Sequence, residues 1–74
     1  MCLGVPGVIQ SVTDEWNAIV DVNGVQRTVN IAYLSDEEKS NLVNQWVLVH
    51  VGFAMAIIDA DDAVASLKLL AELS

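Results

Sequence analysis

The chain has little of what most binding and catalytic chemistry uses. Its 74 residues hold one cysteine, one histidine and one proline, and three basic side chains stand against ten acidic ones. A lone cysteine, Cys2, cannot form an internal disulfide, so stability must come from packing. The net charge of −7 repels a phosphate backbone, and basic and aromatic side chains are too few for base stacking. Nucleic acid is therefore not an expected partner. One cysteine and one histidine fall short of the four-ligand cluster of a structural zinc site. A glycine-rich phosphate loop, the spaced oxygen ligands of a calcium loop and a serine–histidine–aspartate set are all missing. The sequence does not read as an enzyme. The opening residues lack a basic region followed by a long apolar run, and Gly4-Val5-Pro6-Gly7 would interrupt a signal helix, which predicts a cytoplasmic protein with no membrane contact.

What is present is apolar and patterned. Hydrophobic residues make up 54% of the chain and mean hydropathy is +0.49, enough for a folded core in one short domain spanning residues 1–74. Residues 8–12 are rich in β-branched side chains and follow Pro6-Gly7, so a first strand is expected there, with residues 1–7 as an N-terminal arm. Residues 18–22 and 25–31 alternate apolar and polar around Asn23-Gly24, a pair suited to a type I′ turn. In the second run Val25, Arg27, Val29 and Ile31 share a parity, which leaves the Arg27 stem packed with its head in water. Ser35 followed by Glu38 marks a capped helical turn between sheet halves. Residues 46–51 and 54–58 form two apolar strands around a Gly52-Phe53 loop whose leading glycine suits a type II′ turn. Trp46, Leu48 and His50 fall on one face of the first of these strands, and Val47, Val49 and Val51 on the other. From residue 60 the period becomes helical, with Ala60, Val64, Leu67 and Ala71 on one stripe, Leu70 beside it and Asp59 as the cap. These elements predict a mainly β fold: a small OB-like five-stranded barrel over residues 8–58 with a C-terminal α-helix over residues 60–73.

Two side chains have metal-binding chemistry. A single thiol is most often an incidental or packed one, but Cys2 lies where trimming of the initiator methionine would leave a thiol and an α-amine on one residue. Both titrate within about a unit of pH 8, and either becomes a ligand on losing its proton. His50, more often an imidazole satisfied by backbone, ends a strand beside the Gly52 turn and so lies near one end of the barrel. The acidic runs at 36–38 and 59–62 read as a solvated face and a helix cap.

Two segments then become recognisable together. Met1-Cys2-Leu3-Gly4-Val5-Pro6-Gly7 and Trp46-Val47-Leu48-Val49-His50-Val51-Gly52-Phe53-Ala54 resemble the two signature segments of the HypC/HupF hydrogenase maturation chaperones. The resemblance extends across the Asn23-Gly24 hairpin and the C-terminal helix, and it departs from the family between residues 35 and 44. It implies a chaperone for nickel–iron hydrogenase maturation, acting without turnover of its own. Such a chaperone helps assemble the Fe(CN)2CO group with the iron–sulfur protein HypD and deliver it to the large-subunit precursor. The family's essential cysteine falls on Cys2 and its motif histidine on His50, which makes these two the expected transient iron contacts. Cys2, Leu3, Gly4, Pro6, Gly7 and Phe53 are the expected partner contacts. The competing expectation is an OB-like docking module without direct metal contact, in which an apolar surface near Phe53 and Met55 binds the partner.

Overall fold

The computed structural model describes residues 4–73, and its strands fall where β-branched residues cluster. They are β1 (Val5–Val12), β2 (Asn17–Val22), β3 (Val25–Asn30), β4 (Trp46–His50) and β5 (Phe53–Ile58). These close into the expected five-stranded barrel, in the order β1-β2-β3-β5-β4. A one-turn helix, α1 (Asp36–Lys39), joins β3 to β4, and α2 (Ala60–Leu73) follows β5.

Alternation along the strands sends one set of side chains inward. Ile9, Val20, Val29, Ile31, Leu42 and Val47 are all but inaccessible, and each contributes on the order of 1.5–3 kcal/mol by leaving water. Ala18 and Ala54 are equally buried, small side chains that fit a narrow interior. Of the parity expected on β3, Val29 and Ile31 are buried, whereas Val25 and Arg27 are exposed. That half of β3 extends past the core.

Strand β1 serves two neighbours. Its first half pairs with β4, from Val5 opposite Val49 to Val8 opposite Trp46, and its second half pairs with β2, from Val8 opposite Asp21 to Val12 opposite Ala18. A bulge between Ile9 and Ser11 bends the strand between these tasks. The strand begins at Val5, three residues earlier than the sequence pattern indicates, because β4 supplies a ladder to residues that a Pro-Gly pair alone marks as a break. Pro6 lies where β1 pairs with β4 alone, so its missing N–H is cheaply accommodated. Gly7 allows the close approach of β2. A Cβ there would overlap Val20 Cγ1 and stand 3.1 Å from the Asp21 carbonyl oxygen.

The β2–β3 turn is the expected one, with Asn23 at φ 53° and Gly24 at φ 87° and the Asp21 carboxylate accepting the Gly24 N–H at 2.8 Å. The β4–β5 turn differs from expectation. Its positive-φ residues are Val51 (52°) and Gly52 (79°), so it repeats the Asn23-Gly24 geometry one residue earlier than a glycine-led turn would. Pairing of His50 with Phe53 across the ladder leaves these two residues as the turn.

The capping box forms as predicted: Ser35 Oγ accepts the Glu38 N–H at 3.1 Å, and the Glu38 carboxylate accepts the Ser35 N–H at 2.8 Å. Ahead of β2, the Trp16 N–H and the Asn17 side chain donate to Asp14, and together they hold its carboxyl below the ordinary value. Asp59 caps α2 by accepting the Asp62 N–H at 2.8 Å. The buried face of α2 is displaced from the predicted stripe. Ala63 is fully buried and Ser66, Leu67 and Leu70 half-buried, while Ala60, Val64 and Ala71 are exposed. The helix lies against β1, and this tertiary contact, not the apolar stripe of the sequence, sets which face is buried.

Gly7→Ala should lower the thermal midpoint by on the order of 10 °C, about 2 kcal/mol of overpacking in a domain of this size, measured by circular dichroism. Asp59→Ala should cost about 1 kcal/mol and fray the first turn of α2, visible as faster amide exchange at Asp62 and Ala63.

Candidate functional site at the start of β1 and the end of β4

Side-chain alternation assembles a face outside the barrel. On β4, Trp46, Leu48 and His50 share a face as expected, and because Val47 points into the core that face points away from it. The irregularity in the β4–β5 ladder leaves Met55 as the extra residue on β5 and does not disturb β4. On β1, Gly7 faces Val20, which places Gly4 and Pro6 on the outer side with Leu48.

The second half of α2 lies over this face. Gly4, Leu48, Ser66, Leu69 and Leu70 line a mainly apolar cleft of about 160 Å³, room for a side chain or a small group and not for a large substrate. Gly4 fits only because it has no side chain, since a Cβ would lie 2.5 Å from Leu48 Cγ.

His50 is the last residue of β4. It is half-buried, and its Nε2 is enclosed with no hydrogen-bond partner among the described residues. Leaving a polar nitrogen in this state costs on the order of 1–3 kcal/mol, a cost that a ligand or donor reaching the nitrogen would remove. Phe53 stands directly across the ladder from His50, 38% exposed, with its ring edge-on to Tyr33 at 5.5 Å. Val5 pairs with Val49, so Gly4 and His50 flank the same end of the β1–β4 pair.

The structure therefore brings Gly4, His50 and Phe53 to one end of the molecule. Pro6 and Gly7 are buried within β1, where packing accounts for both residues. Cys2 and Leu3 lie outside the described residues. Met55, the centre of the competing docking surface, is 41% exposed. Sequence reasoning missed Tyr33 and the contribution of α2. The parity shared by Leu48 and His50 was the available signal for this outer face, but nothing in the helical pattern indicated that Ser66 and Leu70 would cover it.

Among the described residues no three histidine, cysteine, aspartate or glutamate side chains gather as a metal cage. Among them, too, no helix is long and apolar enough to cross a membrane.

Comparison with known proteins finds relatives along nearly the whole chain. The model of the HupF/HypC family matches residues 1–70. Hydrogenase maturation factor HybG of Escherichia coli K12 is 47% identical over 75 aligned residues, covering 99% of this chain and 92% of that protein. Hydrogenase maturation factor HypC of Rhodobacter capsulatus is 44% identical over 75, covering 99% and 78%. The HypC of Escherichia coli K12 is 47% identical over 72, covering 95% and 79%. These relatives are named as maturation factors, not as catalysts. With the match running from the cysteine-bearing segment through the barrel and most of α2, the chain belongs to the HupF/HypC family.

Proposed function

We propose that the protein is a cytoplasmic chaperone of nickel–iron hydrogenase maturation that helps assemble the Fe(CN)2CO group and deliver it to the large-subunit precursor through Cys2. The names of its relatives support the maturation role. The observation that carries the finer reading is the buried Nε2 of His50, without a partner among the described residues, at the end of β4 beside the strand that leads back to Cys2.

Covalent geometry keeps the Cys2 Cα within about 7 Å of that of Gly4, since each residue spans at most about 3.6 Å. Cys2 also shares the parity of Gly4, so an arm that continued the pleat of β1 would present its thiol on the face that holds His50. A thiolate and a neutral imidazole are both ligands for iron. Two donors leave the metal incompletely coordinated by this chain. That suits a carrier, because the cargo can be shared with HypD during assembly and passed to the precursor afterwards. A partner closing over the arm would exclude water and strengthen the thiolate contact. Gly4 sets the point from which the arm departs, and Phe53 provides apolar contact beside it.

The exposure of Phe53 and Met55 favours a second reading, in which the chain only docks. The two readings separate in one experiment. In an anaerobic infrared spectrum of the protein isolated with its partners, Cys2→Ala should remove the carbon monoxide and cyanide bands while the partners stay bound and the fold is intact. Bands unchanged in that variant would leave a docking module. His50→Gln should weaken the bands or shift them without unfolding the barrel, and an unchanged spectrum would remove His50 from the site.

A further inference from the structure

The chain builds the same two-residue turn twice, and the two copies differ in their first residue. Asn23-Gly24 joins β2 to β3 with φ values of 53° and 87°, and Val51-Gly52 joins β4 to β5 with 52° and 79°. Asparagine is a preferred residue for the first position, because its short polar side chain tolerates the left-handed region. Valine is among the worst, since its branched Cβ crowds the backbone there. Val51 is also 78% exposed, the highest value among the large apolar side chains described. It thus carries two costs, strain and wetted apolar surface, in a fold that elsewhere uses the cheaper turn.

Strain of this kind persists where function requires the residue. Val51 follows His50 directly, Phe53 comes two positions later, and the Tyr33 ring meets Phe53 edge-on, so three exposed apolar side chains border the end from which the arm leaves. Residues 40–58 contain no aspartate, glutamate, lysine or arginine, although the whole chain carries −7. The β4–β5 turn and the strand residues flanking it therefore offer an uncharged, apolar contact, with the carboxylate of Asp14 across the sheet, bonded to Asn17 two strands from Phe53.

We propose that Val51 is an anchor residue for the iron–sulfur partner that meets Cys2, inserting into an apolar concavity on that protein with Phe53 and Tyr33 beside it. The inference rests on the reading of Cys2 given above, because a partner close enough to touch an arm tethered at Gly4 also covers the β4–β5 turn. The strained turn then trades stability of the free chain for contact in the complex.

The test compares wild type, Val51→Asn and Val51→Thr in thermal melts and in titration calorimetry against the purified iron–sulfur partner. Val51→Asn should melt higher by roughly 4 °C and bind at least about tenfold more weakly. Val51→Thr keeps the branched Cβ, so it should melt like wild type and still bind more weakly. Binding of Val51→Asn at wild-type affinity, or a melting point no higher than wild type, would overturn the inference. Infrared spectra of the same complexes keep the two readings apart. Bands lost in Cys2→Ala while Val51→Asn binds normally would sink the anchor and leave the iron reading standing, whereas a wild-type chain that does not bind the iron–sulfur partner would sink both.

Discussion

The closure of the barrel depends on β1 reaching two partners, and that depends on how closely backbone can approach backbone at Gly7. The first half of β1 lies on β4 and the second half on β2, with a bulge bending the strand between them. A side chain at Gly7 would occupy the space of Val20, a residue at the centre of the core. The same stretch of β1 fixes the position of Gly4 against Leu48 and, through it, the point from which the cysteine-bearing segment departs. Packing and placement of the site are thus one constraint.

Much of this was legible in the residues. Asn23-Gly24 named its turn, Ser35 and Glu38 named their capping box, and alternation in β2 separated core from surface, because each is a local signal with a local cause. Three features were not legible, and each depends on something distant in sequence. β1 starts at Val5 because β4, some forty residues later, offers it a ladder. The β4–β5 turn centres on Val51-Gly52 because cross-strand pairing places His50 opposite Phe53, against the preference of valine. The buried line of α2 runs through Ala63 because contact with β1, invisible in a periodicity, decides which face of the helix turns inward.

The site was legible as chemistry and not as a surface. Cys2 and His50 stand out as the chain's only thiol and imidazole, and the resemblance gave them roles. That His50 sits on the outer face of the barrel, with its Nε2 enclosed and unpaired among the described residues, is a consequence of tertiary packing. The outer face of β1 and β4 has two coverings of different kinds: α2 packs along it loosely enough to leave a cleft, and beyond the end of β4 exposed apolar side chains take over. On the proposed reading this combination suits a carrier, which uses donors near a rim and surroundings that a partner completes.

The barrel is sealed unevenly. Four of its seams are antiparallel ladders several residues long, but β3 meets β5 through one residue pair, Asn30 with Phe53, reinforced by the Asn30 N–H donating to the Gly52 carbonyl at 2.8 Å. Local opening of the cylinder should begin there, where the fewest bonds must break together. Phe53 belongs to both the seam and the exposed apolar rim, so a protein seated on that rim would also clamp the joint shut. Occupancy would then lengthen the lifetime of the folded chain, and an idle chaperone would be the form most open to proteolysis.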